Sequence, residues 1–168
     1  MRVFCLATRG GNAAGEALCW PSLTCSPSKA TEMLERIEYG GVHYADVIRA
    51  GARVEETTFF SPPESSFQFG LLAHQSGYAE TPHYHRPFSR TIDDLQQMFV
   101  VQRGVVVVAL YTDEGALVGE VTLRAGDAIV LIHGVHCLRV VEDMQCISVK
   151  QGPFMGVEFD KVAVQVAK

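Results

Sequence analysis

The chain has 168 residues, 48% of them hydrophobic and 20% charged, with a formal net charge of −5. That balance supports a globular core in one domain and excludes a disordered chain. The acidic excess and scattered Lys and Arg argue against nucleic acid or a membrane surface as partner, and no apolar run approaches the ~18 residues of a membrane span.

Residues 1–32 are turn-rich and aperiodic, with Gly10, Gly11, Pro21 and Pro27 as breakers. They read as an extension of the folded domain, poorly ordered or loosely docked, and Met33 is a plausible alternative start. The domain proper then covers 33–168. One short helix is expected around Thr31–Ile37, with Ser28 or Thr31 as cap. The rest has the texture of short strands. Candidates are 42–49, 54–60, 67–74, 78–85, 97–102, 105–111, 117–123, 128–132, 137–141 and 146–150. Arg103-Gly104, Asp113-Glu114-Gly115, Arg124–Asp127, His133-Gly134 and Glu142-Asp143 read as the turns between them. Strands so closely spaced predict an all-β sandwich or closed barrel. Val105–Leu110 (VVVVAL) lacks alternation, so both faces should be buried. Its second face then meets another sheet, a second subunit of a homodimer, or the N-terminal segment. Five cysteines form an odd count with no C-x-x-C and read as free thiols of a reducing, cytoplasmic compartment.

Two residues stand out chemically. In an extended run His83 and His85 lie on one face. Two neighbouring imidazoles suit a divalent metal. The plain alternative is a chance pair on an exposed strand. His43 and His74 read as satisfied strand histidines, and His133 as a solvent-facing loop residue. Phe67, Phe69, Phe99 and Ile129 should line the barrel or core. Arg86 and Arg90, in the segment after the His pair, are candidates to steer an anion, and Lys150 is a candidate to reach into a pocket.

Further on, the spacing becomes a pattern. Gly77 precedes His83-x-His85 by five intervening residues, Gln97 precedes Gly104 by six, and Gly126-Asp127 is followed by His136. This order resembles the two-motif signature of the cupins over roughly residues 40–165. It departs in four places. The spacer from His85 to Gln97 is long, Gln97 stands where the family has Glu, Ile132 replaces a Pro, and Cys137 holds the usual His position because the second motif is one residue short. The long spacer and short turn are similar to a subgroup of cupin-fold proteins assigned as metal-binding. The resemblance implies a double-stranded β-helix, the jelly-roll barrel. It also implies a divalent metal (Zn, Fe, Ni, Mn or Cu) held by His83, His85, His136 and the amide oxygen of Gln97, with a small oxygenated molecule as ligand. In the subgroup the short turn carries its His at position 136, which makes Cys137 a wall residue. Because His136 and Cys137 alternate in facing, only one points inward without a bulge. Three functions follow as expectations: a metal-dependent oxygenase or isomerase, a non-catalytic small-ligand binder, or a metal-free protein like the sugar-nucleotide isomerases.

Overall fold

The computed structural model describes residues 34–166, and the N-terminal extension expected over 1–32 lies outside them. The expected helix does not form over its described part, because Leu34–Ile37 belongs to a strand. Strand β1 (Leu34–Tyr39) folds back on β2 (Val42–Ile48) through Gly40-Gly41. Both glycines have positive φ, 59° and 79°, as a two-residue hairpin turn requires. Pairing along the whole of β1 overrides a weak helical signal.

After β2 comes a two-rung ladder of β3 (Thr58–Phe59) and β4 (Gly70–Leu71), where the sequence suggested two longer strands. Residues 72–96 carry no regular element, so the expected strand at 78–85 is absent. Then follow β5 (Gln97–Tyr111), β6 (Leu117–Arg124), β7 (Ala128–Leu131), β8 (Val135–Lys150) and a single helical turn, α1 (Val157–Asp160). The described residues are thus all-β with almost no helix.

One antiparallel sheet runs β1-β2-β7-β5-β6, with β8 on the other edge of β5. β5 is its axis. Its first residues, Gln97–Val100, pair with β7, and its last, Val105–Tyr111, pair with β6. β6 and β7 therefore act as one long strand interrupted at 125–127. The side chain of Asp127 holds that interruption. It accepts hydrogen bonds from the backbone N–H of Arg124 (3.0 Å) and Ala50 (2.9 Å) and from the Arg49 guanidinium (3.3 Å). Val101 and the turn exchange two main-chain hydrogen bonds alongside.

Two expected turns are not turns. Arg103-Gly104 and Glu142-Asp143 lie inside β5 and β8, facing each other, where the register slips between Val101 and Val106. Both positions are β-bulges. A positive-φ glycine serves a bulge as readily as a turn, which is why the local sequence misleads. The bulge bends β5. Gln97 pairs with Leu131 and Tyr111 with Val135, so the two ends of β5 are joined by a four-residue step. Such a step spans at most roughly 14 Å, whereas fifteen residues laid flat would span about 46 Å. The sheet therefore curls into a half-barrel whose two rims meet near residues 131–135.

The concave face carries the main core: Phe99, Val101, Val106, Val108 and Leu110 of β5 against Val47, Val121, Leu123, Ile129 and Leu131. The other face is covered at one end by the β3–β4 region. There Phe69 is buried, and Phe60, Phe67 and Leu71 pack with it against Ile48 and Val130. Phe67 and Phe69 thus sit across the sheet from Phe99 and Ile129. Val105–Leu110 is buried on both faces, as its composition predicts. That burial is reached within one chain, so it does not require a second subunit. On the outer side Arg139 reaches Glu120 (4.0 Å) across the strand. Val107 and Ala109 lie on that side between the two, where a long side chain can cover apolar surface with its stem.

Asp46 is the one fully buried carboxylate of the sheet, 1% exposed. A register slip at the Ile37–Glu38 rung lets His43 reach it (2.9 Å), and Arg36 approaches from β1 (3.4 Å). A buried charge persists only when so paired. No helix among the described residues is long and apolar enough to cross a membrane.

Candidate functional site

Where the rims of the half-barrel meet there is a cleft of about 290 Å³. Gln97, the first residue of β5, and His136, the second of β8, both line it. Each owes its direction to alternation. Gln97 shares the concave face with Phe99, and His136 is opposite Leu110, a core residue of that face. Cys137 is opposite Ala109 and points outward, 3.9 Å from the Tyr111 hydroxyl. The register therefore turns His136 inward.

Around these two lie Leu95, Leu131 and Ile132 as an apolar wall, and Asp93, Asp94 and Asp113 as a carboxylate rim. The turn at 132–134 is tied to β2: the backbone N–H groups of Ile132 and His133 donate to the Tyr44 carbonyl (2.9 and 3.2 Å). His133 is exposed, as expected of a loop residue, and also lines the cleft, with its ring edge-on to Tyr44 and 3.6 Å from Asp113. Gln97 donates its amide N–H to the Ser148 hydroxyl (2.8 Å) across the β5–β8 ladder. The amide oxygen is thereby left as the free polar atom.

The electrostatics divide the cleft. The Ser66 hydroxyl, with help from the Gln96 amide, holds the Asp94 carboxyl below its ordinary value against the opposing effect of burial. Asp94 is therefore ionised at neutral pH. His136 moves the other way. The residue is exposed to solvent, yet the protein packed around its ring displaces part of the ring's water. That desolvation, and then the nearby Lys161 ammonium, disfavour the imidazolium and lower its pKa. The expected result is a ring that titrates below the ordinary 6.5 and is neutral at pH 7, followed by the pH dependence of its ring-proton NMR shifts. The linkage sign is clear. The unfolded chain binds this proton more readily, so this group's contribution to stability falls as pH drops through 6.5 towards the folded pKa. A ring titrating above 6.5 would contradict the geometry.

The other predicted ligands lie elsewhere. His83 and His85 sit in the irregular segment 72–96, exposed, with ring centroids 5.2 Å apart. Nδ1 of His83 is 3.0 Å from the Thr81 carbonyl and 3.7 Å from Glu80. Neither histidine lines the cleft. Among the described residues no three His, Cys, Asp or Glu side chains converge as a metal-holding group. The four expected donors are thus present as two pairs. His43 is satisfied by Asp46, and His74 stacks on Tyr78 at 4.0 Å. Arg90 lies over the Phe88 ring rather than in the cleft, and Lys150 binds Asp160 (2.5 Å). Asp93, Asp113 and Ser148 were not singled out by the sequence. Only the curl of the sheet brings them near the motif residues.

Compared with protein-family models, with curated proteins and with solved structures, the chain finds no match. The functional reading therefore rests on the chain's own residues.

Proposed function

We propose that the protein is a cupin-type, metal-binding β protein that holds a small oxygenated molecule at the mouth of its curled sheet. The observation that carries this reading is the cleft, which joins Gln97 of the first motif to His136 of the second. Three imidazoles and an amide oxygen suit a divalent transition metal in kind. As placed, the donors do not make one coordination sphere. An ion bound there would polarise a carbonyl or hydroxyl of the ligand.

One rearrangement unites the two pairs. β8 pairs only with β5 among the described residues, so its outer edge is open. On its concave side Leu138 and Val140 are 39% and 53% exposed. Residues 78–85, added there as a strand, would cover both and bring His83 and His85 beside His136. Pro82 is acceptable in a strand that forms the new edge. A second copy of the chain, giving a homodimer, is the competing occupant of the same edge.

The test is metal content of protein purified without a His-tag. We expect one transition-metal ion per chain. The His83→Ala/His85→Ala variant should bind it at least tenfold more weakly, and His136→Ala should lose a similar factor. Full metal content in the double variant would refute the site. If only His136→Ala keeps its metal, the ion sits on the exposed pair and not at the cleft. Light scattering that gives a dimer while both variants keep their metal assigns the edge to a second copy.

A further inference from the structure

After β8 the chain does not leave the mouth of the half-barrel. Asp160, in the helical turn α1, binds Lys150 (2.5 Å), and the two side chains are only 9% and 26% exposed. Lys150 stands opposite Gln97 in the β5–β8 ladder, and Gln97 lines the cleft. Five residues later the Gln165 carbonyl oxygen lies against Gly115, where an added Cβ would be 2.7 Å from it. Gly115 closes the turn that begins with Asp113, another lining residue. We propose that residues 161–164 are a flap, pinned at Asp160 and Gln165, that closes over the cleft and carries Val162 onto its apolar wall of Leu95, Leu131 and Ile132. The proposal rests on the cleft being the ligand's place and adds how the ligand is shut in.

The two pins sit beside the two ends of β5, one on each rim, and the chain between them crosses the mouth. Five residue steps reach at most roughly 17 Å, long enough to span the opening of a cleft of about 290 Å³. Lys161 marks the crossing, since its ammonium is near His136, a lining residue. Between the pins the segment is free. Lys161 is extended, with φ −133° and ψ 133°. Exposure then falls from 88% at Val162 to 39% at Val164, and Val166 is half-buried. The segment is thus covered where it meets the Gly115 turn and bare where it passes the mouth. α1 buries no residue and has no side-chain cap, so its hold on the barrel runs through the Lys150 pair. No residue of 151–166 lines the cleft, which makes this the open position. In the wall, Leu95 is 54% exposed. Closure covers Leu95 and Val162 together, which favours it. Ordering the flap opposes it, so the open position is the resting one until a ligand adds its own contacts.

The test requires neither metal nor ligand. Full-length Val162→Cys/Leu95→Cys is oxidised in a glutathione buffer, and the new disulfide is located by peptide mass against the native thiols. Both positions are exposed, so the fold is not at risk. This pair is expected to close at least tenfold faster than Val157→Cys/Leu95→Cys, because Val157, 60% exposed, lies outside the flap. In the oxidised protein the Leu131 and Ile132 methyl resonances should be broadened at least threefold less by the neutral nitroxide TEMPOL, and reduction should restore the broadening. Adding Asp160→Ala, which removes one pin, should slow the closure at least threefold. Equal rates for the two pairs, a disulfide that leaves the methyls unshielded, or a rate unchanged by Asp160→Ala each overturn the flap. These readouts are separate from metal content, so a missing flap and a missing metal site are told apart.

Discussion

Gly104→Ala is expected to cost at least ~3 kcal/mol of folding stability. Gly104 has φ of 85°, a conformation that disfavours any Cβ by about 1–2 kcal/mol. The added Cβ would also overlap the Asp143 carbonyl oxygen and lie 2.7 Å from the Glu142 carbonyl oxygen. Those are backbone atoms of the facing bulge, so they cannot move aside without shifting β8. The comparison that isolates this effect is Gly77→Ala. Gly77 has φ of 91° but nothing within 4 Å of a built Cβ, so only the conformational part applies. Urea unfolding should therefore show about 1–2 kcal/mol for Gly77→Ala and clearly more for Gly104→Ala, whose melting temperature should fall by roughly 10 °C. Equal losses would mean that the two bulges are not in contact. The site should suffer with the fold, because the bend at Gly104 is what brings Gln97 and His136 to one cleft.

Asp127→Ala is the second large effect, at about 3 kcal/mol. The carboxylate satisfies two backbone N–H groups, of Arg124 and Ala50, at 3.0 and 2.9 Å. Leaving both without an acceptor costs roughly 1–3 kcal/mol each when buried, and less where water can reach them. The Arg49 pair contributes little, because that guanidinium is 38% exposed and screened. Asp127→Asn, which keeps an acceptor oxygen, should recover more than half of the loss. If Asn is as damaging as Ala, the charge rather than the hydrogen bonds matters, and the role of Arg49 has been underrated. Chemical denaturation of the two variants side by side decides it.

These two residues also show what can be read from sequence. Gly104 and Gly126-Asp127 are fixed points of the motif, and each has a backbone reason to be what it is. Alternation says that His136 and Cys137 face opposite ways, and only the register of β8 on β5 says which of them faces inward, while the unbroken VVVVAL run announces burial on both faces. The turns at Asp113–Gly115 and Arg124–Asp127 also follow from composition. Other features depend on contacts that no local window contains. A glycine with positive φ serves a hairpin turn and a bulge equally, and only the facing strand tells them apart. Leu34–Ile37 is a strand because β2 lies beside it. The carboxylates of the cleft carry no spacing signal, since Asp93 precedes β5 and Asp113 follows it. They approach each other only because β5 bends.

The order of strands in the sheet has a consequence for how the chain is made. β5, β6, β7 and β8 are consecutive and pair among themselves, so residues 97–150 can assemble from nearby segments. β2 pairs through Ala45–Ile48 with β7 at Ala128–Leu131, and closing that long loop carries an entropic cost before any contact rewards it. On a ribosome β2 emerges roughly 5–15 s before its partner, given usual synthesis rates. During that interval its second edge is bare and its residues Tyr44–Ile48 are the apolar stretch later buried in the core. Asp46 sits in the middle of that stretch. A charge pointing inward from a waiting edge discourages pairing with foreign strands. On this view Asp46, with Arg36 and His43 already on the same hairpin to hold it, keeps the nascent hairpin apart from other chains until β7 arrives.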